Sequence, residues 1–463
     1  MKRTCCSVAG LLPLLAIALV VAAVNSPVAW AQGTGGQTAK SDLQSQQVEQ
    51  LLERIKGLEG RLQKLESDDA KQEARVRQLE LLKELKATNQ GDGQPILSTT
   101  YGDVRLKLYG YLKTDMSINT DQTNNVDLSI FANSPAGAGA FRDDNEFGLT
   151  ARQSRIGLEI YGPKAGDWDL KGRFEVDFWN APYGEFNEVR NNLRLRLAYI
   201  EISNPDTMIR AGQDWEIMSP LNPTSINYAY MAWQGNLGYR RPQVRVTHRV
   251  SLDKEKKNQW ILEGSINRPQ GWGGGIDEGV DGDLPVFEGR TALKLQGWTS
   301  KSIEIGTSGH WGREEVDGAL QNAANRVYTY SGNLDVVVPV TETVSLRGEY
   351  YNGENLDQFF GGCNQGVNAV TGEEVRAQGG WVEASWQAMP KLQLNLGWGS
   401  DDPNENDLVA GDILRNQLLY LNAIYKITQQ LHVGVEVSKL WTSYVNQADG
   451  ENFRVQSALW LYF

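Results

Sequence analysis

Arginines and lysines recur in this 463-residue chain at every second position of segments whose other positions are apolar, a spacing that points them all to one face of an extended strand. In "LKGRFEVDFW", Lys171, Arg173, Glu175 and Asp177 alternate with Leu170, Gly172, Phe174, Val176 and Phe178. The same alternation puts Lys107, Lys113, Arg155, Lys171, Arg173, Arg210, Arg245, Arg249, Arg290, Lys294, Arg347 and Arg454 on the polar face. A guanidinium is a planar fork that binds carboxylate or phosphate through two parallel hydrogen bonds, so such a face can recognise small anions. Carboxylates share it, at Asp115, Glu159, Glu175, Asp177, Glu263, Asp335, Glu349, Glu383 and Glu436. A face of mixed sign also reads as charges that are simply solvated or paired with one another. In the segment 192–203, Arg194 and Arg196 share a phase with Ile200 and Ile202, a conflict that a β-bulge would resolve.

Catalysis finds little support. The chain has three histidines, His248, His310 and His432, with the first two on different predicted strands, and no Gly-x-Ser-x-Gly elbow that would activate a serine. Neither a catalytic residue nor a cofactor is expected. A calcium site at Asp277, Asp281 and Asp283 is conceivable, but their spacing departs from the EF-hand loop, and an acidic, solvated loop is the simpler reading. Cys5 and Cys6 lie in a leader, which leaves Cys363 without an internal disulfide partner and reads it as a bystander in a loop.

The elements that must position the polar face are strands. We place them near 105–118, 152–162, 167–179, 192–203, 206–214, 241–250, 258–268, 287–298, 301–312, 326–339, 342–352, 378–388, 391–400, 416–427, 430–441 and 452–463. Brief connections such as Gly162 to Asp167 alternate with long ones such as 119–151, 215–240 and 353–377, and the two kinds are expected to keep to opposite ends. That asymmetry predicts an all-β, 16-stranded antiparallel up-and-down transmembrane barrel over 105–463 rather than a sandwich. The last strand alternates to a terminal Phe463, which resembles the sorting signal of bacterial outer-membrane barrels. A barrel of this size encloses an aqueous channel. The connection 215–240, with Trp215, Tyr228, Tyr230, Trp233 and Tyr239 among few charges, is predicted to fold into the pore or to pack at a subunit interface, while acidic stretches such as Asp143, Asp144 and Glu146 read as external loops.

Ahead of the barrel, Lys2 and Arg3, an apolar run from Val8 to Val24 and the small-x-small stretch Ala29-Trp30-Ala31 read as a cleaved signal peptide over 1–31. A flexible segment (32–40) follows. Val48, Leu51, Ile55, Leu58, Leu62, Leu65, Val76 and Leu79 then form a heptad seam, so 41–90 is predicted to be a coiled-coil helix, with its seam roughly 50 Å long. The seam leaves dimer or trimer open, and 91–104 reads as a linker. The net charge of −12 argues against nucleic acid as a partner. No later stretch is apolar enough for a transmembrane helix, and mean hydropathy is −0.43.

The stretches "ARQSRIGLEIYGP", "LKGRFEVDFW", "NNLRLRLAYIEI", "RAGQDWEIMSPLNPTSIN" and "GNLGYRRPQVRVTH" together resemble the DcaP-like porins of Gram-negative outer membranes. The resemblance covers most of the chain after the leader. It implies a periplasmic coiled coil before a 16-stranded barrel, assembly as a homotrimer through barrel and coiled coil in outer-membrane lipid, and passage of small anions such as dicarboxylates. Within the matching stretches it nominates Arg155, Arg173, Arg210 and Arg245. The expectation is a passive diffusion channel; the alternative is a tether between outer membrane and periplasm with the barrel as anchor.

Overall fold

The computed structural model describes residues 97–101, 103–135, 144–180, 192–269, 277–278, 282–316, 326–368 and 370–463. The predicted signal peptide, the segment 32–40, the coiled coil over 41–90 and the first half of the linker lie outside them. Among the described residues no helix is long and apolar enough to cross a membrane.

A short strand, Leu97–Tyr101, precedes sixteen barrel strands. These are β1 (Val104–Asn119), β2 (in two pieces, Glu146–Thr150 and Arg155–Tyr161), β3 (Asp169–Asn180), β4 (Asn192–Ser203), β5 (Thr207–Trp215), β6 (Arg240–Ser251), β7 (Gln259–Asn267) and β8 (Val286–Gln296). There follow β9 (Ser302–Val316), β10 (Arg326–Pro339), β11 (Val344–Glu354), β12 (Arg376–Met389), β13 (Leu392–Pro403), β14 (Ile413–Lys426), β15 (Leu431–Tyr444) and β16 (Gly450–Tyr462). Each strand pairs antiparallel with its sequence neighbour, and β16 closes the ring on β1 in the register Arg454↔Asn119 to Tyr462↔Tyr111. Closure leaves no free edge, so every strand has a hydrogen-bonding partner on both sides.

Period-two alternation sets what each wall presents. Along β1, Leu112, Met116 and Ile118 are exposed outward while Lys113, Asp115, Ser117 and Asn119 are buried inside. Outward aromatics gather at two levels. Phe287, Trp311 and Tyr328 lie in adjacent registers toward the long-loop end, and Trp260, Trp298 and Trp386 lie toward the short-turn end. An apolar band between two aromatic girdles is the outer face of a membrane barrel.

Two irregularities re-aim side chains. Between its pieces β2 makes a break at 151–154 that sends Gln153 and Ser154 inward, where Ser154 Oγ accepts from the Lys113 amide at 3.0 Å. In β4 the register against β3 shifts between Glu175 and Val176. That is the anticipated bulge, and it lets Arg194 and Arg196 face inward while Ile200 and Ile202 remain exposed outside. The length asymmetry of the connections is looser than expected: 445–449, on the long-loop side, spans only a hairpin turn, and 252–258, on the short side, is longer.

Candidate functional site

The connection 216–239 does not leave the barrel. It runs along the inner wall, and Ile217, Met218, Ile226, Met231 and Leu237 are buried there. A segment with no ladder of its own needs acceptors for its buried amides. The wall supplies carboxylates. Glu288 on β8 accepts from the Ile217 amide (3.0 Å), Glu349 on β11 from Leu221 (2.7 Å), Glu383 on β12 from Thr224 (2.6 Å) and Glu436 on β15 from Ile226 (2.7 Å). Approach to the wall is close: at Gly235 (φ +108°) a Cβ would stand 2.2 Å from the Gly380 carbonyl oxygen, so no other residue fits. Ser219, Tyr230, Met231 and Trp233 also hold left-handed backbone, a strain that persists only where the surroundings over-determine it.

Two further connections join this segment. Asn416 Nδ2 donates both to the Ile130 carbonyl (2.9 Å) and to that of Trp233 (2.8 Å), which binds 120–135 to it. The amides of Trp233 and Gly238 donate to the carbonyls of Phe360 (2.8 Å) and Phe359 (2.7 Å), which binds 355–375. The first of these was expected as a solvated external loop. It is instead largely internal, because its polar backbone meets inward Asn, Thr and Arg side chains, including Arg454, which donates to the carbonyls of Val126 (2.6 Å) and Asp127 (3.0 Å). Of the acids expected on that loop, Asp143 lies outside the described residues and Glu146 opens β2, where it accepts from Asn119 (2.9 Å) and Thr123 (3.0 Å). Cys363 lies, as expected, in a connection, and is buried against β13, where its amide donates to Asp401 at 3.1 Å. Burial, then the charge of Asp401, pushes its thiol well above the ordinary range.

Facing the far end of the 216–239 segment is a wall of arginine and tyrosine. Arg194 grips Asp177 with two bonds (3.0 and 2.7 Å) and donates to the hydroxyls of Tyr239 (3.0 Å) and Tyr228 (3.1 Å). Arg196, fully buried, donates to Glu175 (2.7 Å), Asp177 (3.1 Å) and Tyr228. Arg155 lies 3.5 Å from Glu175, with its guanidinium over the Tyr111 ring. Arg173 donates to the Tyr109 hydroxyl (2.7 Å) and covers that ring. Stacking on aromatics holds a guanidinium plane while leaving its edge free to bind.

The other sequence-nominated residues fall into two groups. Lys107, Lys171, Arg249, Lys294 and Arg347 lie on inward positions and stay partly open, Lys107 near Glu159 (3.5 Å), Lys171 near Glu201 (3.9 Å) and Arg347 against Glu383 (2.7 Å). Arg210 and Arg245, opposite each other on β5 and β6, both reach Asp214. Lys113 and Arg290 differ. Lys113 is 1% exposed and spends its ammonium on Gln153, Asp115 (2.9 Å) and the Ile226 carbonyl (2.9 Å), while Arg290 is enclosed by Glu263, Glu304 and Asp335. Buried and already partnered, these two leave little of their charge open to the interior. Sequence reasoning left Arg194 and Arg196 undecided and missed Glu288 and Arg240, the latter buried over the rings of Trp215 and Tyr239 and donating to the Tyr239 hydroxyl (2.6 Å). For the first pair the phase conflict in 192–203 was the available signal.

The sign of the interior surface follows. Side-chain exposure is 34% for Arg173, 34% for Lys107 and 43% for Lys171, against 0% for Asp177 and 0% for Glu383. Among the described acids on this interior, Glu304 (29%) and Glu159 (25%) keep the more open side chains and Glu263 (13%) a less open one. Among the described residues no group of three His, Cys, Asp or Glu side chains is arranged to hold a metal. Asp281 of the conceived calcium site lies outside them, and Asp283 stands 3.6 Å from both Arg313 and Arg326.

The sequence matches no family model, and no curated protein sequence matches it. Among solved structures the chain is similar to the outer membrane channel DcaP of Acinetobacter baumannii, at 18% identity over 79% of this chain and 99% of that one, with a TM-score of 0.62. It is also similar to in-vitro folded OmpT, an outer membrane protein of Vibrio cholerae (12% identity, 80% and 100% covered, TM-score 0.51), and to Salmonella typhi OmpF in complex with daunomycin (12%, 79% and 100%, TM-score 0.51). The chain therefore shares the fold of these outer-membrane barrels, the architecture that the resemblance in its sequence implied.

Proposed function

We propose that this chain is a bacterial outer-membrane porin, a passive diffusion channel for small polar solutes that favours anionic organic acids such as dicarboxylates. One observation carries the reading: inside the barrel most acids are consumed by the inward segment or by buried arginines, whereas Arg173, Lys107 and Lys171 keep open faces. Fixed cations at a constriction raise the local concentration of anions and orient carboxylates through two-point contacts. The apolar outer band and the likeness to the DcaP channel support outer-membrane lipid as its surroundings. We further propose a homotrimer joined through barrel and coiled coil, with the helix in the periplasm after removal of residues 1–31. Purified protein in a planar bilayer should give stepwise conductance, with reversal potentials in a salt gradient that favour anions. Absence of conductance overturns the channel; cation preference removes the anion assignment alone.

A further inference from the structure

At the short-turn end, where β6, β7, β8 and β9 meet, a recess of about 260 Å³ is lined by Lys256, Lys257, Lys294 and Lys301, with Gln259 and Ser302 among its other walls. Gln259, Lys294 and Ser302 hold the inward phase of their strands, the phase of Glu263, Arg290 and Ser308, so the recess belongs to the inner mouth of the barrel.

The turns that form it are fixed by polar groups other than the lysines. Asp253 accepts from the amides of Lys257 (3.1 Å) and Asn258 (2.6 Å), and Asn258 in turn accepts from the Gln296 amide (2.8 Å), which ties the β6–β7 turn to the end of β8. Glu342 accepts from the Ser300 amide (2.7 Å) and hydroxyl (2.6 Å), which ties the β8–β9 turn to the next. Asp253 and Glu342 are thus engaged in the turns. Lys256 pairs with exposed Asp206 (3.1 Å) and Lys257 with exposed Glu255 (2.5 Å), while Lys294 and Lys301 have no carboxylate within 4 Å among the described residues. Glu304, the cross-strand neighbour of Lys294, is taken by Arg290 at 2.8 Å.

Lys294 and Lys301, without a carboxylate partner, thus share one concave volume with two paired lysines, and a polar rim that uses none of the four side-chain ammonium groups holds this concentration of positive charge in place. We infer that this recess binds a compact anion carrying two or more negative charges on carboxylate or phosphate oxygens, and so forms a second anion station at the short-turn mouth. The inference rests on the channel reading only for its physiological use; the binding itself does not require conduction.

Calorimetric titration of the detergent-solubilised full chain with inorganic pyrophosphate, citrate and chloride tests it. Pyrophosphate and citrate should bind at least tenfold more tightly than chloride, and Lys294→Gln/Lys301→Gln should weaken them by roughly tenfold. Preference for one probe identifies phosphate or carboxylate as the natural group. Lys164→Gln, at another short turn, serves as the control for general charge loss, and the shift of the folded band on unheated gels shows that each variant is folded. Equal binding of chloride and pyrophosphate, or equal affinities in wild type and double variant, overturns the site. Bilayer conductance of the same wild-type preparation reports separately on the channel, so failure of one reading is distinguishable from failure of the other.

Discussion

The wall formed by β1–β6 and the wall formed by β8–β15 carry charges by the same alternation, yet they use them in opposite ways. On the second wall, Glu288, Glu349, Glu383 and Glu436 face backbone amides of 216–239 and disappear beneath it. On the first, Glu175 and Asp177 are the buried members, and the arginines and tyrosines above them face the interior. Acids serve as structural acceptors on both walls, and cations stacked on aromatics are concentrated on the first, where Arg173 covers Tyr109 and Arg155 covers Tyr111, with Arg347 beside Trp381 as the counterpart on the second. A folded-in segment therefore decides the sign of the interior by choosing which charges it covers.

The contrast breaks most sharply at Glu383. Its replacement by Ala leaves the Thr224 amide, the Arg347 guanidinium and the Tyr420 hydroxyl without their shared acceptor, which should cost about 3–5 kcal/mol and raise single-channel conductance as the segment loosens. Denaturant-dependent loss of the folded gel band measures the first effect, bilayer recording the second. Unchanged stability would show that the segment does not depend on the acidic wall. Next in size is Arg196→Ala, which removes a buried cation shared by Glu175 and Asp177 and should destabilise by about 3 kcal/mol, read from the same denaturation curve. Arg173→Ala sharpens the comparison from the other side. With 34% of its side chain open, its loss should change stability by less than about 1 kcal/mol while reducing the anion-to-cation permeability ratio. An unaltered ratio would mean that Arg173 merely balances Glu175. The smallest effect concerns Cys363: folded protein should resist maleimide at neutral pH and label fully once unfolded, because its thiol is enclosed and protonated.

Much of the barrel is legible as pattern. Phe453, Val455, Leu459 and Leu461 against Arg454 and Gln456 specify a strand with two unlike faces, and sixteen such segments joined by alternately brief and long connections point to a closed barrel. The aromatic content of 215–240 pointed correctly to an inward segment, since five rings with few charges are poor material for a solvated loop. Less legible were 120–135 and 355–375, whose polar residues resemble ordinary loop composition until Asn416, Thr442 and Arg454 are seen to bond the backbone of the first, and Asp401 and Arg241 that of the second. Depth was hidden as well. Lys113 and Lys107 share one strand and one phase, and only the course of the segment past Ile226 makes the first a buried structural cation and leaves the second open.

By itself, then, the order of residues determined which side of each strand is apolar, because successive side chains on a pleated backbone point opposite ways whatever lies nearby. Tertiary structure alone decided which inward charges remain available. Contacts such as Ile226 with Glu436 or Arg454 with Val126 join residues hundreds of positions apart, and the burial and pairing they impose have no local trace in the chain.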